Sequence, residues 1–153
     1  GFKSISLKDS FNSLTLTDIN KSKKKLFDQN YKFRNINFEI NNFIKKPLKK
    51  KYDGIFALDV LEHIEKKNEK KFILNLKSSL KNNGSIIIGM PSLQSQKYAS
   101  RLAKKEHVNC KTKKQLKTFL KKYFNCVYIF SMNDEVLHTG FDGMSHYILG
   151  LAN

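Results

Sequence analysis

Short apolar runs alternate regularly with polar, helix-patterned stretches, and this constrains the fold of the 153-residue chain more than any other feature. Leu14 to Thr17 alternates apolar and hydroxyl side chains and runs into Asp18-Ile19-Asn20, as a strand entering a loop would. Lys21 to Asn30 is polar around Leu26 and Phe27, a short helix, and Asn35 to Ile40 (NINFEI) alternates again. Tyr52 to Leu58 (YDGIFAL) is a continuous apolar run, the pattern of a strand covered on both faces. Phe72, Ile73, Leu76 and Leu80 then fall at helical spacing between Lys66 and Leu80, and Asn82-Asn83-Gly84 predicts a stop. Ser85 to Gly89 (SIIIG) is the most apolar strand, ended by Met90-Pro91. Thr112 is placed to cap a helix carrying Leu116, Phe119, Leu120 and Tyr123. Two last strands are expected at Cys126–Ser131 and His146–Ala152.

This order predicts an α/β fold, a Rossmann-like and mostly parallel sheet with helices on both faces. No internal repeat, Pro/Gly linker or composition break interrupts it, so residues 1–153 read as a single domain. Ligands of such sheets sit beyond the carboxyl ends of the strands. The residues to read for function are therefore Asp18-Ile19-Asn20, Asn41-Asn42, Asp59 to His63 and Met90-Pro91-Ser92.

The formal net charge of +16 brings nucleic acid and anionic surfaces into consideration. The positive charge is almost all lysine, however, with Arg34 and Arg101 the arginines, and it is spread over every polar stretch. Bidentate phosphate recognition favours arginine. Abundant Lys, Asn, Ile and Phe beside scarce Gly and Pro is also the bias that AT-rich coding imposes. The lysines are read as a solvated surface, with nucleic-acid binding as the alternative. Cys110 and Cys126 have neither metal-ligand nor redox spacing, which fits reduced thiols in a cytoplasmic protein. A membrane span would need about 18 consecutive apolar residues, and the sequence has no such run. Neither does it show the charged and apolar regions of a secretion signal.

Two longer segments resemble class I S-adenosylmethionine (SAM)-dependent methyltransferases of the small bacterial type. Tyr52-Asp-Gly-Ile-Phe-Ala-Leu-Asp-Val-Leu-Glu-His-Ile64 is similar to the family's fourth strand and the segment after it. Leu80-Lys-Asn-Asn-Gly-Ser-Ile-Ile-Ile-Gly-Met-Pro91 is similar to its fifth strand, with Lys81 to Gly84 where the family has a lysine-proline-glycine-glycine turn. Glu106-His107-Val108 before the Thr112 helix adds to the likeness. The resemblance implies a last strand running antiparallel, inserted between the fifth and sixth, and SAM as the cofactor. It implies that Asp18 accepts hydrogen bonds from the ribose hydroxyls, which a carboxylate can do twice over. The residues' own alternative for Asp18 is a helix cap. Ile19 would lie on the adenine face, Asn42 would stand for an aspartate reaching the adenine amino group, and Leu58 and Asp59 would flank the methionine end. The family's first strand and glycine-rich loop have no counterpart in this chain beyond Gly1, which is equally readable as a residue left by a cleaved tag. That predicts a fragment with unpaired edges on the strands at Leu14 and Ile55. Those edges could pair directly, recruit Phe2 to Leu7 as a strand, or be filled by a second chain in a homodimer.

Methyl transfer from a sulfonium is an in-line displacement whose leaving group needs no proton, so orientation is the main task. An acceptor hydroxyl would profit from a general base, and His63 and His107 are the candidates. The acceptor is read as a small molecule or sugar-type metabolite. A basic nucleic-acid module and a non-catalytic relic of the fold are the alternatives. No His/Asp/Glu set has metal-ligand spacing along the sequence, so no metal is expected.

Overall fold

The computed structural model describes residues 2–133, 136–140 and 142–153. Two parallel pairs open the fold. β1 (Leu14–Asp18) pairs with β2 (Ile36–Ile40) across α1 (Lys21–Asn30), and β3 (Tyr52–Leu58) pairs with β4 (Leu80–Pro91) across α2 (Glu69–Ser78). After α3 (Arg101–Glu106) and α4 (Lys113–Leu120) come β5 (Val127–Asn133), β6 (Val136–His138) and β7 (Tyr147–Ala152). The second sheet has the order β3-β4-β7-β5-β6, so the last strand inserts antiparallel between β4 and β5, as the resemblance implied. β6, a short hairpin partner of β5, lies outside the strands expected from the sequence.

Apolar spacing builds two cores. Ile73 and Leu76 of α2, Leu116 and Leu120 of α4, Ile86, Ile88 and Met90 of β4 and Ile148 of β7 are buried together against the five-stranded sheet. Each such side chain contributes about 1.5–3 kcal/mol of burial, which holds α2 and α4 on this sheet. Leu14, Leu16, Phe27, Ile36 and Phe38 form the smaller core of the β1–β2 pair, and Phe56 of β3 packs against it.

Three local expectations change. The helix expected from Lys66 starts at Glu69, after a 3-10 turn at Lys66–Asn68. The stretch Lys81 to Gly84 is not a left-handed turn, since no described glycine has positive φ. It is instead an irregularity within β4: Tyr52 pairs with Leu80 while Gly54 pairs with Ser85. Gly84 is required there by crowding, because a Cβ would lie 3.0 Å from the Tyr52 carbonyl oxygen. Finally, the segment Phe2–Ser10 forms a 3-10 helix and not a strand, and β1 and β3 do not pair with each other. Side chains join them instead. The Tyr52 hydroxyl hydrogen-bonds Thr15 Oγ1 at 3.1 Å, and Phe56 enters the smaller core. No helix among the described residues is long and apolar enough to cross a membrane.

Candidate active site

The carboxyl ends of β1, β2 and β3 carry most of the residues singled out by sequence; Gly1 lies outside the described residues. Asp18 ends β1 and is largely buried. Its Oδ1 accepts from the Asn20 amide at 2.9 Å and its Oδ2 pairs with Lys23 at 3.0 Å. Burial raises its pKa, but the Asn20 and Lys23 hydrogen bonds outweigh this and hold the carboxyl below its usual range. The helix cap weighed for Asp18 is in fact Asn20, whose side chain accepts from the Ser22 amide. An ionised carboxylate has about four acceptor sites, so Asp18 keeps capacity for further donors. Ile19 is 70% exposed, an unusual position for isoleucine. Asn42 spends its Oδ1 on the Ile44 amide at 2.9 Å, closing a local turn.

At the end of β3, Leu58 is half-exposed and Asp59 has φ 55, the one non-glycine among the described residues in the left-handed region. Aspartate tolerates this conformation better than most residues, and such strain concentrates at functional sites. Two contacts fix it. The Asp59 amide donates to the Gly89 carbonyl at 3.0 Å, and the Tyr147 side chain lies beside the Asp59 carboxylate. Burial, then the nearby charge of Asp59, push the Tyr147 phenol far above its usual range, so it stays protonated. Gly89 permits the arrangement. A Cβ there would meet Leu58 Cδ2 at 2.7 Å and Tyr147 Cε1 at 2.9 Å.

Beyond Asp59 the chain makes a 3-10 turn, Leu61–His63, with Leu61 fully buried beneath it. Glu62 is fully buried as well. Burial pushes its carboxyl up to about 7, against the pull of its own backbone amide and with a smaller push from the charge of Asp59. His63 and His107 meet edge to face with ring centroids 5.1 Å apart. His63 Nδ1 lies 3.2 Å from the Glu106 carbonyl oxygen and His107 Nδ1 lies 2.9 Å from Gln96 Oε1. Carbonyl oxygens only accept, so both Nδ1 atoms carry the proton and both Nε2 atoms present lone pairs. Gln96 is oriented by its own Nε2 donating to the Ser92 carbonyl at 3.3 Å. Of the other histidines, His146 contacts Asn133 at 3.2 Å and His138 accepts from the Gly140 amide.

The fold therefore brings His63 and His107 together, and places Leu58 and Asp59 on the strand leading to them. Asp18 and Asn42 stand on the separate β1–β2 ladder, and no hydrogen bond among the described residues links them to the histidines. Sequence reasoning passes over Glu62, Gln96 and Tyr147. Glu62 has one signal, its position between Asp59 and His63; Tyr147 has none, because it reaches Asp59 only through the insertion of β7 beside β4. Spacing along the sequence shows no metal-ligand set, yet in the fold Glu62, His63 and His107 converge. Spacing along the sequence could not reveal this, because α3 brings His107 back to the turn after β3.

Residues 1–88 match the family described as "Methyltransferase domain". The chain belongs to that family. Its members are SAM-dependent, and SAM is the cofactor. This methyltransferase domain shares its fold with the methyltransferase domain of bacterial CtHen1-CN (TM-score 0.74, 18% identity, covering 100% of this chain and 84% of that one). It also shares it with human N-acetylserotonin methyltransferase in complex with SAM (TM-score 0.70, 16% identity, 99% and 43% covered). A DhpI-SAM-HEP complex has the same fold (TM-score 0.70, 10% identity, 100% and 73% covered). No curated protein matches the sequence significantly. The residues of this methyltransferase domain suit the cofactor: an ionised Asp18 with acceptor sites left, an exposed Ile19 beside it, and the half-exposed Leu58 before a constrained Asp59.

Proposed function

We propose that this domain transfers a methyl group from SAM to a small-molecule acceptor at the carboxyl ends of β1 and β3. The observation that carries the reading is Asp59. A non-glycine residue held at φ 55 beside a half-buried tyrosine, its amide bonded to a strand carbonyl, is costly, and it stands at the strand end where a ligand would lie. SAM supplies an electrophilic methyl on a sulfonium, which leaves as a neutral thioether. The protein's share is positioning. Asp18 would hold the ribose hydroxyls, Ile19 and Asn42 the adenine, and Leu58 and Asp59 the methionine end. His63 or His107 would take the acceptor's proton on Nε2, the atom left without a donor.

A small-molecule acceptor is favoured over nucleic acid by the scarcity of arginine and not by the net charge. Lys23, Lys81, Lys111 and Lys113 are each spent on an internal ion pair, and the sequence has only two arginines, Arg34 and Arg101. N-acetylserotonin, in the name of the human neighbour, is an acceptor of this size. Calorimetry with SAM and with S-adenosylhomocysteine tests the reading. Both should bind one site competitively, and Asp18→Ala should weaken SAM by about 1.5–3 kcal/mol, the usual worth of hydrogen bonds to a charged group. Failure to bind either, together with steeply salt-dependent binding of RNA or DNA, would favour the nucleic-acid module.

A further inference from the structure

We propose that Glu62, His63 and His107 form a site for one divalent first-row transition cation. One ligand atom from each of the three lies within 4.8 Å of the others, so a closure of about half an ångström brings them within the span of a single ion's donors. The Glu62 side chain is 1% exposed. Beyond its own backbone amide, neither carboxylate oxygen has a hydrogen-bond partner, and His63 Nε2 stands off at 4.0 Å. A buried carboxylate is ordinarily paired or bound to metal, so this one lacks the partner that its environment demands. Neither imidazole is free to swing. Each donates Nδ1–H to a carbonyl oxygen, His63 to Glu106 and His107 to Gln96, which is the supporting contact that turns Nε2 toward a ligand role.

The two segments that bear the donors are also tied together. The Asn109 amide donates to the Glu62 carbonyl at 2.9 Å, so the turn after β3 and the end of α3 form one frame. Two imidazoles and a carboxylate suit manganese, iron, cobalt, nickel or zinc, whereas calcium and magnesium take mainly oxygen. Burial and the charge of Glu62 push the neighbouring Cys110 thiol up to about 11, so without a metal it is protonated. The net charge of +16 opposes a cation only over distances that salt screens, beyond about 8–10 Å. Close by, Lys111 is committed to Glu69 at 2.8 Å, and Asp59 and Glu62 are the acidic neighbours. The cation and the general-base role claim the same Nε2 lone pairs. The test therefore reads binding and not turnover, and it stands or falls independently of methyl transfer.

The chain, stripped with a chelator, is titrated with Co²⁺ and followed by calorimetry and by visible d–d absorption. One Co²⁺ should bind per chain and be displaced by Zn²⁺, which lies higher in the affinity order. Glu62→Gln and His107→Ala should each weaken binding by at least the roughly 10- to 100-fold seen when supporting residues are lost, and Gln96→Ala by about tenfold. His146→Ala and Cys126→Ser should leave it unchanged. If Glu62→Gln fails to fold by circular dichroism, His63→Ala at the exposed ring replaces it, with the same loss expected. Absence of Co²⁺ binding, or binding unaltered by both His63→Ala and His107→Ala, overturns the site. So does binding that is lost on changing His146 or Cys126.

Discussion

Asp59 is where one residue's backbone and side chain serve different ends. Its φ of 55 would cost an alanine about 1–2 kcal/mol, and glycine almost nothing. Both Asp59→Ala and Asp59→Gly remove the carboxylate beside Tyr147, so the difference between them isolates the backbone. Urea unfolding should find the glycine variant more stable than the alanine variant by about 1 kcal/mol. Equal stabilities would mean that the left-handed conformation is not held in solution. Both variants should also lose SAM affinity, because the carboxylate is gone in each. Glu69 supplies a second residue-scale test. Burial raises its pKa, but hydrogen bonds from Lys111 and Asn109 prevail and hold the carboxyl below its ordinary 4.5. The unfolded chain then binds more protons than the folded one just below that value, so this contribution is present at neutral pH and lost on acidification. Lys111→Met should cost about 2 kcal/mol at neutral pH, the worth of charged hydrogen bonds at a partly exposed carboxylate. It should also flatten the fall in stability below about pH 4.5 in urea titrations taken at successive pH values.

At the scale of elements, what can be read from the sequence is what is local. The Thr112 cap is real, and forms a full capping box with Gln115, because its partners lie within one turn. The strands at Leu14, Ile36, Ile55, Ile86, Val127 and Tyr147 announce themselves by apolar runs for the same reason. The irregularity at Lys81 to Gly84 reads as a turn because its cause lies on β3, where Tyr52 and Gly54 set the pairing. Glu62 is hidden likewise: an acid in a polar stretch reads as solvated, and its burial arises from tertiary packing, in a turn tied through its carbonyl to the Asn109 amide. Packing of α4 on β7 gives the element-scale test. A Cβ on Gly150 would sit 2.5 Å from Leu120 Cδ1, and Leu120 is fully buried with no room to yield. Gly150→Ala should therefore destabilise by about 1–3 kcal/mol as an overpacked core does, with the midpoint of urea unfolding falling at unchanged slope. Leu120→Ala introduced on the Gly150→Ala background should cost less than it does alone, because the clash disappears with the side chain.

The whole molecule is two sheets with two cores, and the contacts between them are side-chain contacts. β1 pairs only with β2, and β3 only with β4, among the described residues. Each thus keeps one edge with unpaired backbone donors and acceptors, and the Tyr52–Thr15 hydrogen bond and Phe56 hold the units side by side without satisfying those edges. Backbone groups in a folded protein are nearly always paired, and free strand edges recruit partners. Of the three ways to fill the gap, two are not taken here: β1 and β3 do not close on each other, and Phe2–Ser10 is helical. For the chain as it stands we propose that a strand from a second copy fills the gap, in a homodimer joined along these edges. Light scattering across a dilution series should show a molar mass of two chains falling toward one. Amide exchange on β1 and β3 should slow as concentration rises, while that on β4 and β7, already paired on both sides, should not change. Tyr52→Phe removes one tie between the sheets and leaves every backbone group in place, so it should loosen β1–β2 within the monomer and spare the dimer. A mass of one chain at every concentration, with β1 and β3 amides protected regardless, would show that the edges are satisfied within a single molecule.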